Sequence, residues 1–195
     1  MRNIIVSMYA TLDGRADSLQ EWTISYNSDA AAEYHADLLK HADGLLLGRQ
    51  TYEIFAMLWP ARAGELPYID TINSMAKYVA STTVRELQWN NSHLIEGDVA
   101  QGVAELKERP GQDLVVYGGH GLVRTLREHD LIDEYRILVH PVLFGKGASL
   151  VEEGAKRVDL TLVDTAVLAG GVAVLTYRRT GGADATSGTP RRIGV

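Results

Sequence analysis

The chain has no cysteine, which excludes disulfides, thiolate catalysis and any cysteine-ligated zinc. It also lacks a basic excess. Nineteen Lys and Arg stand against 25 Asp and Glu, a net charge of −6, whereas a broad nucleic-acid footprint needs a basic face. No apolar run approaches the ~20 residues of a membrane helix. Met1-Arg2-Asn3 leads straight into an apolar run of strand length with no small-residue cleavage site behind it, so no secretory signal and a cytoplasmic location are expected. There is no Gly-x-Ser-x-Gly elbow and no His-Glu-x-x-His pair, and His35 and His41, six apart, do not share a helix face. Serine-hydrolase and metal-centred chemistries therefore find no support, and no metal is expected.

What is present suits one domain. With 195 residues, 46% of them hydrophobic, the chain can bury roughly 70% of its unfolded surface. Runs of strand character occur at 3–10, 43–47, 77–81, 93–96, 114–117 and 135–143. Between them, helical spacing marks 28–41, with Ser28 or Asn27 as its cap, a segment from Gly48 to before Pro60, a short helix at 69–75, a helix from Val99 to before Pro110, and one through Leu126. The last two strands, 160–168 and 172–178, bracket Gly170-Gly171, a two-residue hairpin signal. The alternation predicts an α/β sandwich with a mostly parallel sheet and an antiparallel edge. The domain is expected over 1–179. Residues 180–195, rich in Gly, Ser, Thr and Pro, read as a flexible tail.

Two glycine junctions each follow a buried strand and open a helix. In Leu47-Gly48-Arg49-Gln50-Thr51-Tyr52, glycine admits a ligand to the backbone and free amides at a helix start bind anions. Arg49 adds a fork suited to phosphate and Thr51 a hydroxyl. The same segment also reads as a tight turn with an exposed arginine. In Tyr117-Gly118-Gly119-His120-Gly121, three glycines in four positions suit a passing pyrophosphate, or a close-packed turn. This is not the Gly-x-Gly-x-x-Gly fingerprint of Rossmann folds. Two junctions in one small α/β domain point to a dinucleotide.

These junctions, taken with Ala10-Thr11-Leu12-Asp13-Gly14-Arg15, Glu21-Trp22-Thr23, Ala80-Ser81-Thr82 and His140-Pro141-Val142-Leu143-Phe144-Gly145, stand in an order that resembles the dihydrofolate-reductase-like superfamily. The branch most resembled is the reductase domain of bacterial riboflavin biosynthesis, the C-terminal half of a bifunctional deaminase-reductase. The resemblance implies a three-layer sandwich on a mixed sheet of about eight strands, with NADPH lying across the carboxyl ends of the strands. Gly48, Arg49 and Thr51 would hold the pyrophosphate and 2′-phosphate end, with Ser81 and Thr82 beside the adenosine. Gly118, Gly119, Gly121, Leu122 and Val123 would cradle the pyrophosphate from the other side. Ala10 would lie near the nicotinamide and Trp22 would be a cofactor-site aromatic or a loop anchor. A homodimer is implied as well.

A zinc deaminase needs a Cys pair, so the chemistry implied is reduction alone. The expected activity is hydride transfer from NADPH to a pterin, a ribosylaminopyrimidine or a related small heterocycle. The alternatives are an NADP-binding sensor or scaffold without turnover, or a dihydrofolate reductase. Lys40 falls where a basic residue helps bind the substrate's ribose phosphate, and it reads equally as a solvated charge at a helix C-terminus; Arg62 is a positional candidate for a second anchor. Asp29, Glu33 and Asp37 share one helix face. Of these, Glu33 is the candidate carboxylate to orient a ring, against a plain solvated face. Asp13 is a candidate polar group by the nicotinamide, or an Asp-Gly turn residue. Phe55 and Trp59, four apart, suit a ring-stacking platform or the core.

Overall fold

Apolar side chains on both alternating sets force β1 (Ile4–Thr11), β2 (Ala42–Gly48) and β5 (Asp113–Tyr117) into the middle of a sheet covered on both faces. The computed structural model describes residues 1–84 and 86–180. All but Thr180 of the expected tail lies outside them. The outer strands are β3 (Ala76–Ala80), β4 (Ser92–Ile95), β6 (Glu134–His140), β7 (Leu160–Leu168) and β8 (Val172–Arg179). The eight-stranded order is β4-β3-β2-β5-β1-β6-β8-β7. Strands β1 to β6 run parallel; β8 is antiparallel to β6 and to β7. The predicted fold class, a mostly parallel sheet with a C-terminal antiparallel hairpin, is the observed one.

Five helices cover the sheet: α1 (Asp29–Leu39), α2 (Arg49–Leu58), α3 (Pro67–Ser74), α4 (Val99–Glu108) and α5 (His120–Glu128). One face buries Ile5, Leu45, Leu47, Val79 and Val115 against Leu38, Leu39, Tyr52 and Ile72 of α1 to α3. The other buries Ile4, Val6, Leu46, Leu114 and Val116 against Val103, Leu106, Leu122, Val123 and Leu126 of α4 and α5. Because each helix returns antiparallel to its strand, the N-termini of α2 and α5 and the carboxyl ends of the strands meet at one edge.

Two expected boundaries need correction. The strand expected over 135–143 stops at His140, because Pro141 has no N–H for the ladder and the Val142 amide turns back to the His140 carbonyl at 2.7 Å. Leu143 is left exposed. The last hairpin has a three-residue connection, Ala169–Gly171, in which Gly170 and Gly171 take φ of 78° and 79°; both glycines serve the turn, but Ala169 belongs to it too.

At the opposite, amino end of the sheet, Lys77 is fully buried. Its ammonium donates to the carbonyls of Asn73 and Asn90 and lies 4.3 Å from the Trp89 ring centroid. Burial lowers its pKa to about 8. Lys77→Met keeps the stem but takes the ammonium donor from the carbonyls of Asn73 and Asn90, and should cost about 1 kcal/mol, read as a lower urea midpoint.

Candidate active site

The two glycine junctions predicted from sequence lie side by side, since β2 and β5 are parallel neighbours. A Cβ on Gly48 would sit 3.7 Å from Leu122 Cβ, and one on Gly119 would sit 3.4 Å from Thr51 Oγ1. Gly118 and Gly119 take φ of 58° and 77°, conformations that disfavour any side chain.

Capping separates these two helix starts from α1 and α4. In α1 the Ser28 hydroxyl accepts from the Ala31 amide at 3.2 Å, and in α4 the Asp98 carboxylate accepts from the Gln101 amide at 2.8 Å. Helices α2 and α5 begin after Gly48 and Gly119 with no side-chain cap. Their first-turn amides are therefore open to an anion. Gly121 adds a second sign. It has no positive φ, and a Cβ there would meet no atom within 4 Å, so the protein itself does not demand glycine at this point. The missing side chain leaves open space over the start of α5. Beside it, His120 Nε2 is sealed from solvent and has no partner among the described residues. This cradle fits a dinucleotide pyrophosphate.

The 2′-phosphate end fits as well. Arg49, exposed at the start of α2, donates from Nε to Glu53 at 2.8 Å and from Nη1 to Thr83 Oγ1 at 2.9 Å. With Ala80, Ser81, Thr82, Thr83 and Val99 it lines an open cleft of about 260 Å³. Thr82 is exposed there. Ser81 Oγ accepts from the amides of Thr83 and Val84 at 3.2 and 3.0 Å, folding the loop that follows β3. Sequence reading missed Thr83, although the Ser-Thr-Thr run carried the signal.

Several expected roles change. Leu122 and Val123 point into the core, and the Val123 amide bonds to the Gly119 carbonyl at 3.0 Å; Leu122 can offer a ligand only its backbone, and Val123 has no free polar group. Trp22 is buried, its indole N–H donating to the Asp17 carbonyl at 3.0 Å, which makes it the anchor of the loop after β1. Ala10 is buried at the end of β1, as a residue beside a nicotinamide would be. Asp13 is committed to the fold. It accepts from the Thr11 hydroxyl at 2.6 Å and from the amides of Phe144 and Gly145 at 2.9 and 2.8 Å. The Thr11 bond, then those amides, hold its pKa well below the usual carboxylate range. It is a poor proton source, and it pins the loop after β1 to the loop after β6.

Glu33 is exposed on the solvent side of α1. One and two positions on, Tyr34 and His35 turn inward, as do Leu38 and Leu39 a turn later. Lys40 is the C-cap of α1 and leads into the amino end of β2. Since β2 is seven residues long at about 3.3 Å per residue, Lys40 is roughly 20 Å from the cradle. It is exposed there, apart from the cradle. Phe55 and Trp59 do meet, with ring centroids 5.4 Å apart, and Arg62 caps the Trp59 ring at 5.4 Å.

The layer beneath the strand ends was not anticipated. Tyr9 OH and His35 Nε2 are 2.7 Å apart, and Tyr117 OH and His35 Nδ1 are 3.2 Å apart. Burial lowers the His35 pKa to about 4 and pushes Tyr9 and Tyr117 up. His140 sits against Tyr9, Trp22 and Tyr26 at 5.0, 5.0 and 5.2 Å.

Comparison with known proteins agrees with this fold. The family model of the RibD C-terminal domain matches residues 2–174. The uncharacterized protein YyaP of Bacillus subtilis is 30% identical over 186 residues, covering 92% of this chain and 96% of that one. A putative riboflavin biosynthesis protein from Shewanella sp. PV-4 superposes with a TM-score of 0.72 at 24% identity, over 91% of this chain and 99% of that one. A diaminohydroxyphosphoribosylaminopyrimidine deaminase/5-amino-6-(5-phosphoribosylamino)uracil reductase from Thermotoga maritima superposes at 0.65 and 14% identity, over 92% of this chain and 57% of that one. Among the described residues, no helix is long and apolar enough to cross a membrane, and no group of three His, Cys, Asp or Glu is placed to hold a metal.

Proposed function

The chain belongs to the RibD C-terminal domain family, and on that footing we propose that it is an NADPH-dependent reductase of a small flat heterocycle, of pyrimidine or pterin type. The observation that carries this reading is the pair of adjoining, uncapped helix starts at Gly48 and Gly119, with open space over Gly121. First-turn amides of α2 and α5 would hold the pyrophosphate. Arg49, with Thr83 behind it, would meet the 2′-phosphate, with Ser81 and Thr82 beside the adenosine. Ala10, small and at the end of β1, lets a flat ring lie against the strand ends. When bound, the reduced nicotinamide supplies the hydride. Asp13 and Asp17 hold the loops around it: Asp17 accepts from the Ala148 amide at 2.8 Å. The reading carries with it a cytoplasmic location and a homodimer.

Fluorescence titration with NADPH and NADH tests it. Micromolar binding that favours NADPH supports the reading, and no binding of either cofactor overturns it. Arg49→Ala should weaken NADPH binding at least tenfold and leave NADH within twofold, because a bidentate arginine–phosphate contact is lost in one case only. Oxidation of NADPH in the presence of pterins and aminopyrimidines then separates turnover from binding alone.

A further inference from the structure

Arg49 stands at the unfavourable end of α2. It is the first residue of that helix, where the partial positive charge of the free amides disfavours a cation. Its partner Glu53 lies four residues on, and cation-before-anion is the weaker order for a helical ion pair. Both side chains are about half exposed, so the pair adds little to stability. Helix formation therefore does not account for Arg49 and Glu53. The feature beside them is the open cleft that follows β3, which Arg49 lines with Ala80, Ser81, Thr82, Thr83 and Val99.

The guanidinium is held on two sides. Its Nε donates to the Glu53 carboxylate at 2.8 Å and its Nη1 to Thr83 Oγ1 at 2.9 Å. A guanidinium carries five N–H hydrogens, so the others stay open to an anion in the cleft. Thr83 Oγ1 lies 3.5 Å from Ser81 Oγ, which accepts from the Thr83 and Val84 amides, so the loop that holds Arg49 is itself tied down. Among the described residues lining the cleft, Arg49 alone is charged, and Glu53 neutralises it. An anion that takes the open hydrogens has the Glu53 carboxylate on the other side of one guanidinium. The carboxylate that aims the arginine thus repels whatever the arginine attracts.

Resting on the reductase reading, we propose that Glu53 sets how strongly this protein prefers a dinucleotide with a 2′-phosphate over one with a free 2′-hydroxyl. It is a positioning residue for Arg49 and, at the same time, a brake on the phosphate that Arg49 meets. The brake acts on one cofactor only. A 2′-phosphate brings about two negative charges beside a third, whereas a 2′-hydroxyl brings none and can donate to a carboxylate. For charges roughly 6 Å apart near water, this repulsion amounts to about three- to tenfold in affinity, larger at low salt.

Fluorescence titration of the full chain with NADPH and NADH tests this. Glu53→Gln keeps an acceptor for Arg49 Nε and removes the charge. NADPH should then bind about three- to tenfold tighter, with NADH within about twofold of wild type. In about 0.5 M sodium chloride the gain should shrink to about twofold or less, because salt screens the repulsion. Glu53→Ala loses the acceptor as well and should gain less than Glu53→Gln; a larger gain overturns the positioning role. A gain shared equally by both cofactors, or one that salt leaves intact, overturns the brake. Wild-type binding that favours NADPH and is unchanged or weakened by Glu53→Gln removes this inference and leaves the reductase reading standing. A wild-type protein that binds neither cofactor removes both.

Discussion

Gly121→Leu is expected to raise the Kd for NADPH at least a hundredfold while leaving the fold as stable as before or more so. Gly121 lies in the first turn of α5 with no positive φ, and a Cβ there would touch nothing. Leucine is the better helix former by about 0.5–1 kcal/mol, worth roughly 2 °C in melting temperature for a domain of this size. The same side chain would fill the space over the free amides of His120, Gly121 and Leu122, where the phosphates are proposed to lie. Gly119→Ala is the informative contrast. Its φ of 77° and a Thr51 hydroxyl at 3.4 Å make any side chain strained, so this variant should lose both stability, by about 1 kcal/mol or more, and binding. Differential scanning fluorimetry with and without NADPH reads both quantities at once. A Gly121→Leu protein that still gains stability from NADPH would remove the cradle from the start of α5.

The fold was legible because its signals are local. Continuous apolar runs marked the central strands, and glycine after a buried strand marked both helix starts at the site. Arg49, Thr51 and the glycines could be placed for the same reason: each sits at a strand end, and chain direction decides which edge of the sheet that end occupies. Lys40 and Glu33 could not be placed this way. Their position depends on which end and which face of α1 meets the sheet, and the acidic spacing of Asp29, Glu33 and Asp37 says only that they share a side. Leu122 and Val123 fell inside the right motif yet serve the core, since in a helix adjacent residues point about 100° apart. The aromatic contacts near the site were half visible as Phe55 and Trp59. The layer beneath the strand ends joins Tyr9, His35 and Tyr117, up to 108 positions apart in the chain, and no local pattern announces such a meeting. Asp13 was recognised as polar and near the site, but its partners at Phe144 and Gly145 lie more than 130 residues away.

Unfolding free energy is expected to fall by about 3 kcal/mol as pH drops from 6.5 to 4, and His35→Gln should remove most of that fall. In the folded chain burial lowers the His35 pKa to about 4, against about 6.5 when unfolded. Between those values the unfolded chain binds the proton and the folded chain does not, so stability rises with pH across the window. The contribution is fully present above 6.5 and is lost as pH falls through 4. Below 4 both states are protonated and this group adds no further slope. A difference of about 2.5 units at 1.36 kcal/mol per unit gives the magnitude. His140, lowered by burial as well, acts in the same direction, which is why the comparison with His35→Gln matters more than the wild-type curve alone. Asp13 loses its stabilising bonds only at lower pH, because its pKa is held below the carboxylate range. Urea unfolding at pH 7, 5.5 and 4.5 separates these contributions. Equal slopes for wild type and variant would mean that the His35 pKa is the same folded and unfolded, so that burial does not hold the imidazole neutral.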